Sequence, residues 1–269
     1  MQSPEALVDI HCHLLSGIDD GAASRDQSIA MARMAVADGI TTIVATPHQL
    51  GTFSANDAAT IRRLVVELQD TLDREEVALR VLPGADVRIE PDLAQLLAGG
   101  DVLSLADSRY VLLELPHEIY FPLDRLLEEL AAVGHVGILS HPERNEGILA
   151  DPAVLPGLVS RGCLLQVTAG SLLGAFGRRA QRLAEDLVVR RLAHFVSTDA
   201  HGTRHRPPLL AAAFARIGEL AGPQTAVELC CRNPAAMVAN RNIAAFEPRS
   251  GMRRPAPWTN WFAGKRTAS

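Results

Sequence analysis

Leu7-Val8-Asp9-Ile10-His11-Cys12-His13 starts as a short apolar run and finishes in His-x-His, two side chains of a type that can bind metals. The same change recurs down the chain. Short apolar runs, β-branched or aliphatic, lie at 7–10, 41–45, 78–82, 110–115, 136–139, 163–167 and 194–196. Runs of this length and composition read as strands buried on both faces of a parallel sheet. Helical stretches separate them. Ser24-x-x-Gln27 predicts a capping box that opens a helix to about Asp38, stopped by Gly39. Ile61, Leu64, Val65, Leu68 and Leu72 make one apolar helix face, and Leu123, Leu126, Leu127, Leu130 and Val133 another. Asp151-Pro152 and Asn233-Pro234 each predict a capping side chain before a first-turn proline. Leu183, Leu187, Val188 and Leu192 line the helix before the last strand.

Seven strands alternating with helices imply a parallel sheet with right-handed crossovers, closed as a barrel or open and doubly wound. The phosphate-cradling loops G-x-G-x-x-G and G-x-x-x-x-G-K-[ST] are absent, which weakens the open-sheet reading. In a closed barrel the C-terminal strand ends meet on one rim, where active sites sit. That rim would collect His11 and His13, then His48 after Thr46-Pro47, Asp86 after Pro83-Gly84-Ala85, and Glu114. It would also collect His141 in Ser140-His141-Pro142-Glu143-Arg144, and Asp199 and His201 in Ser197-Thr198-Asp199-Ala200-His201. Asp19-Asp20-Gly21 either adds a ligand or is only a turn. Imidazoles with carboxylates suit manganese, zinc or iron better than magnesium. Nine candidates, with Asp20 counted, exceed the three or four protein ligands of a mononuclear catalytic site, so two or three metals fit. Such clusters activate water and clamp the oxygens of a phosphoryl transfer. Arg144 and Arg206 stand beside them as forks for phosphate oxygens.

The 269 residues carry a net charge of −5, 48% hydrophobic residues and 4% aromatics, which describes a globular chain with an aliphatic core. An acidic balance argues against nucleic acid as a partner. No apolar run is long enough to span a membrane, and Met1 to Ala6 do not read as a secretory leader. Cys12, Cys163, Cys230 and Cys231 form no CxxC, which points to reduced thiols and a cytoplasmic protein. None is followed by arginine at the Cys-x₅-Arg spacing of a cysteine phosphatase, and Cys12 alternates with His11 and His13, so it faces the packing. No Gly-x-Ser-x-Gly elbow is present. His135 and His194 fall away from ligand positions and read as structural. Residues 1–245 read as one domain. Residues 246–269 read as a basic arm, with Arg249, Arg253, Arg254, Lys265 and Arg266 against Glu247 alone.

Three stretches, Asp9–His13, Gly17-Ile18-Asp19-Asp20-Gly21 and Gly39-Ile40-Thr41-Thr42-Ile43-Val44-Ala45-Thr46-Pro47-His48, resemble the PHP (polymerase and histidinol phosphatase) superfamily. Within it they resemble the bacterial metal-dependent tyrosine-protein phosphatases of capsule and exopolysaccharide operons. Ser140–Arg144, Ser171-Leu172-Leu173-Gly174-Ala175-Phe176-Gly177 and Ser197–His201 continue the match in order, over residues 7 to 245. The resemblance implies an α/β fold, a distorted seven-stranded (β/α)7 TIM-like barrel, holding up to three divalent ions. Manganese is the first choice, with iron, zinc, cobalt or magnesium as alternatives. His11, His13, Asp199 and a bridging Asp86 would hold the first ion. Asp86, Glu114 and His141 would hold the second, and Asp20, His48 and His201 the third. Arg144 and Arg206 would bind phosphate. The substrate would be phosphotyrosine in the tail of a bacterial tyrosine autokinase that controls polysaccharide export; the oligomeric state is left open. Two positions depart from the family pattern: Asp86 replaces a usual glutamate, and Gln49 stands where a second histidine is common. Rival readings are a histidinol-phosphatase type of small-molecule phosphatase, a dinuclear amidohydrolase, and a metal-stabilised binding protein. The amidohydrolase version bridged by a carboxylated lysine is excluded, because no lysine precedes Lys265.

Overall fold

The computed structural model describes residues 5–243, so the arm at 246–269 lies outside the described residues. Nine strands are described, all pairing in parallel: β1 (Leu7–Cys12), β2 (Ile40–Ala45), β3 (His48–Gln49), β4 (Arg80–Pro83), β5 (Asp86–Arg88), β6 (Tyr110–Glu114), β7 (Val136–Ser140), β8 (Leu164–Thr168) and β9 (Phe195–Ser197). They pair in the orders β1-β2-β4 and β3-β5-β6-β7-β8-β9. β3 resumes β2 after Thr46-Pro47, and β5 resumes β4 after Gly84-Ala85. Nine strands with two interruptions therefore trace the seven expected from the sequence. The circuit closes where the end of β9 meets β1. Asp199 N–H donates to the His11 carbonyl (2.8 Å), and His13 N–H donates to the Ala200 carbonyl (2.9 Å). This closed ring is the expected distorted seven-stranded barrel.

The outer shell contains α1 (Arg25–Ala37), α2 (Ala58–Arg74), α3 (Leu93–Gly99), α4 (Asp124–Ala132), α5 (Glu146–Ala150), α6 (Val154–Ser160), α7 (Ala169–Leu172), α8 (Gly177–Val189), α9 (Ala211–Ala221), α10 (Pro223–Val227) and α11 (Asn233–Val238). Two apolar clusters follow from strand alternation. Val8, Ile10, Val44, Tyr110, Leu112, Ile138 and Phe195 fill the barrel interior with Leu105 and Met237. Ile43, Ala45, Val111, Leu113, Leu139, Leu165 and Val196 face outward against the helices. Cys12 belongs to this outer set although Val8 and Ile10, two-residue steps before it, face inward; the β1 register shifts between Asp9 and Cys12, and this reverses the faces so that His11 and His13 turn inward. All four cysteines are buried free thiols. The interior is apolar low in the barrel and polar at the top. On β6 the inward positions run Tyr110, Leu112, Glu114, so one two-residue step beyond the core reaches a carboxylate.

Several local expectations change in structure. Ser24 caps α1 by accepting from Gln27 N–H (3.2 Å), but Gln27 Oε1 returns to Ala23 N–H (2.8 Å) rather than to Ser24, so the reciprocal box is offset by one residue. α6 starts two residues later than Asp151-Pro152 predicts, after Ala153. Val133 is exposed, because α4 has ended by that residue. Asn233 is no cap at all. α10 continues through a π-helical turn, Glu228–Arg232, into α11, and the Asn233 amide donates to the His194 carbonyl (2.9 Å). Tertiary packing uses the side chain that local propensity assigned to a helix start.

Candidate metal centre

All nine predicted ligands come together at the C-terminal rim. Four overlapping groups have ligand atoms within 4.8 Å of one another: His13, Asp20, His48 and His201; His11, His141 and Asp199; His11, His13 and Asp86; His48, Asp86 and Glu114. Each of the nine is in at least one group, and among the described residues no other side chain joins them. The partition differs from the one implied by resemblance. Glu114 gathers with His48 rather than with His141, and His141 gathers with His11 and Asp199. The β3–β5 register explains the first difference, because it sets His48 opposite Asp86. The His48 Nδ1 atom lies 3.5 Å from both Asp86 Oδ2 and Glu114 Oε2.

The backbone is shaped for this convergence. His141 and Asp199 both have positive φ, +33° and +52°, a conformation that non-glycine residues seldom adopt and that recurs at functional sites. The Asp19-Asp20-Gly21 turn lies directly on His13. A Cβ on Gly21 would come within 2.4 Å of the His13 carbonyl oxygen, so only glycine lets Asp20 reach His201 Nε2 (3.3 Å) and His48 Nε2 (3.5 Å).

Three positioning groups were not read from the sequence as site residues. Asp19, neighbour of the predicted ligand, accepts from His13 Nδ1 (2.7 Å), from His48 N–H (3.1 Å) and from Gly21 N–H (2.9 Å). Gln166 accepts from His11 Nδ1 (2.9 Å). Each fixes a ring so that Nε2 points to the centre, the orientation a metal-ligating histidine needs. Asp9 accepts from Thr198 N–H (3.0 Å), from its hydroxyl (2.5 Å) and from His11 N–H (3.3 Å), tying β1 to the segment after β9. A faint signal existed for Gln166, a lone amide within the apolar run Leu164-Leu165-Gln166-Val167.

The electrostatics suit a cation. Burial, then the Glu114 charge, pushes Asp86 well above the usual carboxylate range. Both Asp86 oxygens are buried with no hydrogen-bond partner, as is His48 Nδ1. An orphaned buried carboxylate is costly unless a charge or donor satisfies it. Burial also raises Glu114 to about 7 and lowers His11 to about 3. His141 is pushed well below the histidine range by burial and by Arg144. His13 runs the other way. Burial opposes its charge, but Asp19 and Asp199 outweigh that and raise it to about 10. The carboxylates thus draw positive charge to the centre, and the neutral imidazoles beside them are good metal ligands. The residues present fit divalent ions.

Arg144 and Arg206 reach the same centre. Arg144 Nη1 and Arg206 Nη2 both pair with Asp199 Oδ2, so two guanidinium forks converge beside the ligand cluster. Barrel, side-chain cluster and paired arginines define a class: a (β/α) barrel whose C-terminal rim gathers side chains that could hold metal, with two guanidinium groups beside them.

The chain belongs to the CpsB/CapC family of capsular polysaccharide synthesis, whose model matches residues 7–239. It is 41% identical over 202 residues to the tyrosine-protein phosphatase YwqE of Bacillus subtilis (strain 168), covering 74% of this chain and 79% of that one. It is 34% identical over 209 residues to the putative tyrosine-protein phosphatase CapC of Staphylococcus aureus, covering 77% and 82%. Among solved structures, it matches a chain from the crystal structures of YwqE from Bacillus subtilis and CpsB from Streptococcus pneumoniae, described as unique metal-dependent tyrosine phosphatases. That match has a TM-score of 0.86 and 36% identity over 92% of this chain and 100% of the other. A lactonase from Listeria monocytogenes, at 12% identity and TM-score 0.53, shares the fold alone.

Proposed function

We propose that this protein is a metal-dependent protein-tyrosine phosphatase that hydrolyses phosphotyrosine in the tail of a bacterial tyrosine autokinase, and so regulates capsule or exopolysaccharide synthesis and export. One observation carries the reading: two arginine forks converge beside nine clustered metal-ligand side chains, an arrangement suited to a dianionic phosphate ester. The similarity to curated tyrosine-protein phosphatases supports phosphotyrosine over small metabolites.

His11, His13, Asp20, His48, Asp86, Glu114, His141, Asp199 and His201 would hold up to three divalent ions, with manganese first. Such ions supply water activation at neutral pH and Lewis-acid neutralisation of phosphate charge. Arg144 and Arg206 bind and orient the phosphate oxygens and stabilise the charge that develops in the transition state. Asp19 and Gln166 hold the His13 and His11 rings in the orientation the centre needs. Buried walls around Asp86 and His11 strengthen each of these interactions by excluding water.

Among the described residues no helix is long and apolar enough to cross a membrane. Four buried free thiols support a cytoplasmic location. We assign residues 1–245 to the phosphatase domain and 246–269 to a basic C-terminal arm. The deciding experiment measures turnover of a phosphotyrosine peptide and of histidinol phosphate by the manganese-loaded protein, before and after chelation. Metal-dependent hydrolysis of the peptide in preference to histidinol phosphate is expected. Preference for histidinol phosphate would move the protein to the small-molecule class.

A further inference from the structure

The segment after β8 carries a half-buried aromatic ring, Phe176, that the phosphatase reading has not used. The Arg144 guanidinium carbon lies 4.3 Å from the Phe176 ring centroid, and that of Arg206 lies 5.9 Å from it. One ring therefore serves both forks, although the arginines come from the turns after β7 and β9, 62 residues apart. A guanidinium over an aromatic face is attracted by the ring quadrupole while its N–H groups, in the guanidinium plane, remain free to bind oxygens.

The ring is itself held. Glu143, fully buried and adjacent to Arg144, accepts from Ser171 Oγ (2.7 Å) and from Thr168 N–H (3.0 Å). This clasps the segment carrying Phe176 to the 3-10 turn Pro142–Arg144. Phe176 then lies over Gly170, where an added Cβ would meet its Cε2 at 3.0 Å. Arg144 and its platform are thus built from two loops pinned by one carboxylate.

We propose that Phe176 is a positioning residue: its ring holds Arg144 and Arg206 together at the phosphate site and keeps the pair pre-oriented when their forks exchange Asp199 for phosphate oxygens. This rests on the phosphatase reading, in which the two arginines bind phosphate. Loss of the ring leaves two long, flexible cations to be ordered by the substrate itself, at an entropic cost to binding and rate.

The test uses the metal-loaded full-length protein with Phe176→Leu and Phe176→Tyr. Each is assayed on an aryl phosphate (para-nitrophenyl phosphate) and an alkyl phosphate (glycerol 2-phosphate), and for competitive inhibition by inorganic phosphate. Phe176→Leu should lose about tenfold in kcat/KM on both substrates, with phosphate inhibition weakened by a similar factor and metal content unchanged. Phe176→Tyr, which keeps the aromatic face, should stay within about twofold of wild type. A loss confined to the aryl substrate would make the ring a substrate contact and overturn the proposal, as would unchanged phosphate inhibition in Phe176→Leu. If Phe176→Leu fails to fold, Phe176→Met fills the space without a ring and is read the same way. If wild type hydrolyses neither ester, the phosphatase reading falls. Calorimetric titration of the same proteins with inorganic phosphate then still decides Phe176, because the wild-type to leucine difference in affinity either appears or does not.

Discussion

The two ends of the barrel use the same residue types for opposite purposes. At the C-terminal rim, His48 Nδ1 and both Asp86 oxygens are buried without hydrogen-bond partners, and His141 and Asp199 hold positive φ. At the N-terminal end several polar groups are matched by protein. His135 Nδ1 meets the Arg109 carbonyl (3.1 Å), and His194 Nδ1 accepts from Leu165 N–H (3.2 Å). The Tyr110 hydroxyl donates to the Arg241 carbonyl (2.7 Å), and Asn233 donates to the His194 carbonyl. His135 and His194 meet backbone groups with their rings, whereas the rim histidines also aim a ring nitrogen at the other candidate ligands. The lower end stabilises the fold; the upper end leaves polar groups to be satisfied by what binds there.

The largest expected effect breaks the upper end. Asp86→Ala should cost at least about 10³-fold in turnover together with bound metal, because it removes a carboxylate shared by two of the four ligand groups. Asp86→Glu, which keeps a carboxylate at the junction of the two groups, should keep measurable activity. Metal analysis beside kinetics checks both, and an alanine variant with full metal and a near-normal rate would remove Asp86 from the centre.

Arg144→Ala and Arg206→Ala come next. Each should lower turnover by about 10²–10³, equivalent to roughly 2–4 kcal/mol of transition-state stabilisation, while metal content stays at the wild-type level. Wild-type rates in both would reduce them to ion-pair partners of Asp199.

At the lower end the signature reverses. Asn233→Ala removes the hydrogen bond to the buried His194 carbonyl and should destabilise the fold by about 0.5–1.5 kcal/mol without changing kcat/KM of the folded protein. Denaturant melts and kinetics at one temperature separate the two effects.

A subtler contrast uses pH. Burial lowers His194 from 6.5 to about 4, so it stays neutral in the fold while the unfolded chain takes up a proton. Its contribution is therefore complete above about pH 6.5 and is lost as pH falls towards about 4, up to about 3 kcal/mol. The unfolding free-energy difference between wild type and His194→Gln should shrink across that window. A difference independent of pH would show that His194 does not titrate in this way.

The smallest effect expected is none. Ile243, the last described residue, donates its N–H to the Tyr110 hydroxyl (3.3 Å) at the lower end. A truncation after Ala245 should therefore hydrolyse para-nitrophenyl phosphate at the wild-type rate. Collapse of that rate in a folded, metal-loaded truncation would place the arm in the active site.

Much of this contrast was legible in the residues alone. A buried strand needs apolar alternation, and an inward polar side chain appears where alternation carries past the core, as on β6, or where the backbone departs from it, as at the β1 register shift and at His141. Leu112 followed by Glu114, or His11 followed by His13, therefore announces both strand and rim. His135 and His194 separated from the ligands for the same reason, since each precedes its strand rather than following it. Helix ends were less readable. Asn233-Pro234 has the composition of a cap, yet its amide serves a carbonyl 39 residues away.

What the sequence showed by itself was what local periodicity encodes: seven strands, the helices between them, and ligand-type side chains and two arginines at the strand ends, with Asp20 left open as ligand or turn. Tertiary structure alone decided how the ligands divide, that Asp19 and Gln166 orient the rings, and that Phe176 takes both guanidinium groups. Gln166 lies 155 residues from His11, and Phe176 precedes Arg206 by 30. Such pairings depend on barrel closure and strand register. One residue of slip would turn every side chain of a strand to its other face, so no reading of neighbours along the chain can supply them.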